Sequence, residues 1–266
     1  MSVAPRRLAP VVLLFCLVPI ASPAAEKVKT IETRPGVTLR YVQISPEHPS
    51  QTAVLLFPGG YGARSFSVGK DNSVKMGENF LTRVSRDLAR GGFHVVVVDV
   101  PSDQSGGMDE GFRKSPAHRT DIEKLVQTLT NSGIDGIFLV GTSMSTISIA
   151  YLGSTLASER VRGIVLTSTM SYNDYLRSLP LDRNRYPVLM IHHTFDECKV
   201  TPFYEAKKTS EALSKSSRVD FVQVNGGTFA RGVPCGPLSA HGFLGIEEKI
   251  VRILTEWMQG KAKRSD

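Results

Sequence analysis

The stretch Gly136-Ile137-Phe138-Leu139-Val140-Gly141-Thr142-Ser143-Met144-Ser145 decides how the chain is read. An apolar run ends in Gly141-x-Ser143-x-Ser145, and a segment rich in small residues follows over 145–156. This pattern predicts a buried strand, a sharp turn and a helix, with Ser143 at the apex. The positions flanking Ser143 must be small, because strand and helix nearly collide there. The Ser143 hydroxyl would then sit at a helix N-terminus, where unpaired N–H groups favour developing negative charge.

Working outward, apolar runs alternate with amphipathic ones. Residues 37–44 alternate as an early strand, and 25–36 are a polar lead-in. Thr52-Ala53-Val54-Leu55-Leu56-Phe57 is unbroken, as expected of a strand buried on both faces. Residues 93–100, 161–169, 187–193 and 219–224 read as further strands. Helices are predicted over 76–90, 118–131, 202–213 and the amphipathic stretch from 246 to 257. This alternation implies an α/β domain with a mostly parallel sheet covered by helices on both faces. In such sheets function gathers beyond the C-terminal strand ends. Gly59, Asp99, Ser143, Asp196 and His241 all follow strands, so they are expected along one edge. Residues 170–186 are too short for a large lid and fit either a small apolar flap or surface packing.

Pro58-Gly59-Gly60-Tyr61-Gly62 follows the second of these strands. Three glycines there imply a backbone that something approaches closely. The Gly60-x-Gly62-x-x-Ser65 pattern imitates a dinucleotide fingerprint. Its last position is serine, however, and Asp99 lies about twice too far away for the expected ~20 residues. Gly69-Lys70-Asp71 is no phosphate-binding loop, since Arg64 stands where its first glycine belongs. His192-His193-x-x-Asp196 invites a metal reading. Adjacent histidines on a strand point to opposite faces and rarely share an ion. Asp99 reads as structural, Arg113-Lys114 as a solvated charge pair and His118 as a capping or packing residue.

A serine hydroxyl is a poor nucleophile at neutral pH. It needs a base within reach, and the base needs an orienting carboxylate. The residues that could supply these are His241, before the last helix, and Asp196, after the strand at 187–193. On Phe57-Pro58-Gly59-Gly60, Gly141-Thr142-Ser143-Met144-Ser145, His193-Thr194-Phe195-Asp196 and His241-Gly242-Phe243, the chain over roughly 38–258 resembles the α/β-hydrolases. Among them it is similar to the compact, nearly lidless, dienelactone-hydrolase-like kind. The resemblance implies Ser143 as nucleophile, His241 as general base then acid, and Asp196 as orienting acid. It implies an oxyanion hole from the N–H of Met144 and one from Gly60 or Tyr61. The chain departs from the pattern at Ser145, where the second elbow glycine belongs, and at Pro58, where many relatives carry histidine. The serine nucleophile differs from the cysteine of dienelactone hydrolase itself, so that enzyme's substrate is not carried over.

The 266 residues show no composition shift, so one domain is expected over 25–266. Residues 1–24 read as a signal peptide: Arg6 and Arg7, an apolar run over 8–20, then Ser22-Pro23-Ala24. The run is too short and Pro-interrupted for a transmembrane helix. Cys16 lacks the small preceding residue of a lipid-modified cysteine. Removal of Arg6 and Arg7 lowers the formal charge from +7 to +5. Lys and Arg are scattered, which argues against a nucleic-acid partner. Two cysteines remain, Cys198 and Cys235, and in an exported protein they predict a disulfide. Closing a loop of ~38 residues is worth ~4 kcal/mol in the chain-entropy account. Such a bridge would staple the acid loop to the histidine loop.

The expected protein is a periplasmic or secreted serine hydrolase acting on small or medium carboxylic esters, thioesters or amides. It requires no cofactor and no stable membrane insertion. An acyltransferase with the same triad, or a non-catalytic binding protein of the same fold, are the alternatives.

Overall fold

The unbroken apolar runs form strands covered on both faces, and they make the centre of the sheet. The computed structural model describes residues 25–261 apart from 64, 173, 174, 177, 214 and 215. The leader predicted over 1–24, with Cys16, lies outside these. In chain order the strands are β1 (Glu26–Arg34), β2 (Val37–Ile44), β3 (Thr52–Phe57), β4 (Phe66–Val68), β5 (Val74–Met76), β6 (His94–Pro101), β7 (Gly136–Thr142), β8 (Val161–Thr167), β9 (Val188–His193) and β10 (Val219–Val224). The helices are α1 (Phe80–Arg83), α2 (Ser85–Arg90), α3 (Glu110–Arg113), α4 (Pro116–Asn131), α5 (Ser145–Thr155), α6 (Phe203–Ala212) and α7 (Glu247–Met258).

One eight-stranded sheet runs in the order β1-β2-β6-β3-β7-β8-β9-β10. From β6 to β10 every neighbouring pair is parallel. β1 and β2 close one edge as an antiparallel hairpin. Two apolar layers sandwich the sheet. On one face Leu55, Leu139 and Leu166 pack with Leu125 of α4, Ile147 of α5 and Ala206 of α6. On the other, Val54, Val140 and Val165 pack with Leu81 of α1, Leu88 of α2 and Leu254 of α7. Burying one apolar side chain fully is worth about 1.5–3 kcal/mol, so this double layer is what fixes the strand ends in space.

Two sequence expectations change and one left open is narrowed. The polar lead-in at 25–36 contains β1, a nine-residue edge strand. Its Glu, Lys and Thr residues suit an edge that must not recruit another chain. The helix expected over 76–90 is instead the end of β5 followed by two short helices that meet at Val84. Asn79 caps the first, accepting from Leu81 N–H at 3.0 Å. For 170–186, where a flap and surface packing were both open, the described Met170, Leu176 and Leu181 are buried in the α5-side core, which is packing.

Candidate active site

At the end of β7 the backbone turns abruptly into α5, and Ser143 takes φ = 55°. A non-glycine residue held in the left-handed region is strained, and such strain concentrates at functional positions. The turn is braced from both sides. Ser143 N–H donates to Thr167 O at the end of β8 (3.0 Å), and Thr146 Oγ1 donates to Ser143 O (2.6 Å).

The two flanking positions differ in what they allow. A Cβ on Gly141 would lie 2.5 Å from Ile149 Cγ1 and 2.9 Å from Ser145 O, so only glycine fits. Ser145 is fully buried, yet its hydroxyl is accommodated. It accepts from Thr142 N–H (2.9 Å) and lies 2.5 Å from Phe57 O at the end of β3. The departure from glycine therefore adds a bond between the elbow and the neighbouring strand.

The loop after β3 runs beside Ser143. A Cβ on Gly59 would stand 3.1 Å from Ser143 Cβ and 3.0 Å from Thr142 O. Gly60 has φ = 63°, which glycine adopts without penalty. Among the described residues, the amide N–H groups of Gly60, Tyr61 and Met144 have no hydrogen-bond acceptor. Unpaired donors around one serine are the material of an oxyanion hole.

His241 and Asp196 meet. His241 Nδ1 lies 3.0 Å from Asp196 Oδ2, with both side chains almost wholly buried. Burial alone would push the Asp196 carboxyl up. The hydrogen bond and charge of His241, with the Cys198 N–H on Oδ1 (3.0 Å), overcome this and hold it below the usual carboxylate range. Asp196 is therefore ionised at neutral pH and accepts from the imidazole. Ser143 and His241 line one cleft of about 300 Å³ with Gly59, Gly60, Asn79 and Gly242.

Several residues that position this pair carry no sequence motif. Thr201 Oγ1 donates to Asp196 Oδ2 (2.9 Å) and lies 3.2 Å from His241 Nδ1. Ser168 Oγ donates to His241 O at 2.7 Å. Arg83 donates to Gly242 O (2.7 Å) and Pro237 O (2.9 Å) and pairs with Glu247, tying the histidine loop to α1 and α7. Cys198 and Cys235 are disulfide-bonded, with Cα atoms 4.5 Å apart. The acid loop and the histidine loop are thus covalently joined.

Other candidates resolve differently. Asp99 accepts from Val100 N–H and pairs with Arg40, a structural role. His118 is buried against Phe57 and Phe112. Arg113 is no solvated partner of Lys114: it is fully buried, while Lys114 pairs with Glu110. His193 Nε2 lies 2.9 Å from Gly226 O, whereas the His192 ring stacks edge-on against Phe203. Among the described residues the one cluster of potential metal donors is Asp196, Cys198 and His241. The Cys198 sulfur is consumed in the disulfide and the other two bond each other, so this donor set does not suit a metal.

No protein-family model and no curated protein matches the chain. Solved structures do. An α/β serine hydrolase homologue from Coxiella burnetii aligns with a TM-score of 0.61 at 18% identity, covering 87% of this chain and 97% of that one. An esterase of Pyrococcus furiosus gives 0.65 at 14% identity, over 89% and 91%. An acylaminoacyl peptidase of Pyrococcus horikoshii gives 0.62 at 12% identity; it covers 92% of this chain, which spans 43% of the peptidase. At these identities the likeness establishes the α/β-hydrolase fold.

Proposed function

We propose that the protein is a serine hydrolase that cleaves carboxylic esters through an acyl-enzyme on Ser143. The observation that carries this reading is the buried Asp196–His241 pair opening on the cleft that holds Ser143. In the first half-reaction His241 Nε2 removes the Ser143 proton as Oγ bonds to the ester carbon. The carbonyl electrons move onto oxygen, and that oxyanion takes the N–H of Met144 with one from Gly60 or Tyr61. Collapse breaks the carbon–alkoxide bond, and His241 returns its proton to the departing alcohol. Water then repeats the sequence on the acyl-enzyme and releases the acid and Ser143. Ionised Asp196 holds the imidazole tautomer and stabilises the imidazolium formed in each half. An oxyanion donor of this kind is commonly worth about 10²–10³ in turnover.

Among the described residues no large lid covers the cleft, which suits small or medium esters entering directly from solvent. The esterases and serine hydrolases that share the fold support hydrolysis as the reaction class. Residues 1–24 act in this reading as a signal peptide that exports the protein to the periplasm or beyond. The disulfide fits such an oxidising compartment.

Fluorophosphonate labelling of the mature protein tests the nucleophile: wild type is labelled and Ser143→Ala is not. A series of p-nitrophenyl esters of rising acyl length then reads the substrate range. Equal labelling of both proteins would overturn the assignment.

A further inference from the structure

Arg113 is the largest fully buried side chain in the described structure, and among the described residues it forms no ion pair with a carboxylate. Its guanidinium bridges two pieces of the candidate site. Nη2 donates to Gly60 O at 2.8 Å, on the loop after β3. Nη1 donates to Ser148 Oγ at 3.1 Å, one turn into the helix that follows Ser143. Nε has no partner among the described residues.

Burial of an unpaired cation is costly and needs an offsetting role. Burial has lowered the Arg113 pKa to about 10, with the charge of Asp109 opposing the shift, so the group stays charged at neutral pH. His118, which lines the same cavity, is buried and held neutral. Asp109 acts on the cation only through space, and Asp99 and Asp121, which line the same cavity, are paired with Arg40 and Arg34. Transient negative charge in the cleft would add to what Asp109 supplies.

The geometry says how the two are coupled. Gly60 C=O and Tyr61 N–H belong to one planar peptide unit and point to opposite sides of it. A donor fixed on the Gly60 oxygen therefore fixes where the Tyr61 N–H points. The next carbonyl, Tyr61 O, is also held, by Met108 N–H at 2.8 Å. Both anchors come from the segment after β6, so the loop cannot rotate its peptides independently of it. Hydrogen bonding at the carbonyl also polarises the unit and strengthens its N–H as a donor.

We propose that Arg113 is a positioning residue of the oxyanion hole, locking the Gly60–Tyr61 peptide against the nucleophile helix and placing fixed positive charge behind it. This rests on the proposed hydrolase reading and extends it to a residue outside the triad. Arg113 touches no substrate; it acts through the loop backbone.

The test uses wild type, Ser143→Ala, Arg113→Met and Ser148→Ala, with steady-state kinetics on a p-nitrophenyl ester the wild type accepts. Arg113→Met is expected to lower kcat about 10–100-fold, a fraction of a whole oxyanion donor's effect, with KM changed less than about threefold. Ser148→Ala, which frees one anchor, should lower kcat about 3–10-fold. An alkylboronic acid, which forms an anionic tetrahedral adduct on serine, should lose affinity in Arg113→Met by a factor similar to that in kcat. A non-hydrolysable ether analogue of the substrate should bind unchanged. A merely structural role would depress the melting temperature without separating the two inhibitors. Arg113→Met within twofold of wild type, or equal loss for both inhibitors, overturns the inference. If that variant does not fold, an unchanged kcat in Ser148→Ala overturns it. Failure of the hydrolase reading looks different: wild type and Ser143→Ala would then be equally inactive.

Discussion

Thr201 shows how a single hydroxyl can brace the buried Asp196–His241 pair without belonging to any motif. It is fully buried and within hydrogen-bond distance of both Asp196 and His241. Thr201→Val keeps the shape and removes the bond. Turnover should fall about tenfold, or about 1.4 kcal/mol in the barrier, with KM little changed. Thr201→Ser should recover most of it, and p-nitrophenyl ester kinetics read both. Ser145 makes the opposite case. Ser145→Gly restores the more usual elbow but deletes the hydroxyl joining Thr142 to Phe57. It should destabilise the fold by about 1–2 kcal/mol, lowering the melting temperature by several degrees, while activity stays within about threefold. At this scale Ser143, Asp196 and His241 were the candidates the sequence put forward, because a strand-turn-helix apex and residues after strands leave a linear trace; the structure joins Asp196 to His241 and lines one cleft with Ser143 and His241. Thr201, Ser168 and Arg83 left none. A threonine or arginine becomes a positioning group only once distant loops have converged on it. Arg113 misled for the same reason: next to Lys114 it looks like surface charge, and only the tertiary structure buries it.

Between the residue and the molecule stand the two loops that carry the acid and the histidine, joined across 37 positions by the Cys198–Cys235 disulfide. Cys198 N–H also caps Asp196 Oδ1, so the bridge anchors the very backbone that orients the acid. Replacing both cysteines by alanine should cost up to about 4 kcal/mol of stability in the chain-entropy account. At a temperature where circular dichroism still shows a native fold, kcat should also fall several-fold, since the pair is no longer held together. A folded double variant with wild-type kcat would leave the bridge a purely global stabiliser. The elements themselves were legible where apolar pattern and packing agree. β3, β6, β7 and β9 are buried on both faces and appear as unbroken runs. β1 was not legible, because an edge strand is half-solvated and its composition answers to the avoidance of other chains. The stretch before Arg90 kept helical spacing at Phe80, Val84 and Leu88, all buried. Periodicity is blind to the break at Val84, where the two short helices meet.

For the whole molecule, the response to acid draws on histidines that burial shifts toward the neutral form, His118 and His192 most strongly and His94 in the same direction. Burial, aided by the charges of Arg113 and Arg34, lowers the His118 pKa to about 3, and neither ring nitrogen has a partner among the described residues. Burial lowers His192 to about 4, against the opposing charge of Asp196. In the unfolded chain a histidine protonates near its ordinary value of about 6.5. Between that value and the folded one, the unfolded state binds more protons than the native state. Stability therefore rises with pH across this window and falls as the solution is acidified from about 6.5 towards 4. Each histidine contributes up to about 1.4 kcal/mol per pH unit there. His118→Leu removes one of these titrations and replaces an unsatisfied buried ring with an apolar side chain facing Phe57 and Phe112. Its unfolding free energy, followed by urea titration at intervals between pH 7 and pH 4, should show a slope shallower by about that amount. A variant that loses stability with acid as steeply as wild type would mean that His118 is already charged in the folded protein, or that other groups set the acid limit. Acid entering the folded state at His118 would also bring a second positive charge against Arg113, so the same titration reports on the neutrality that lets the arginine stay buried.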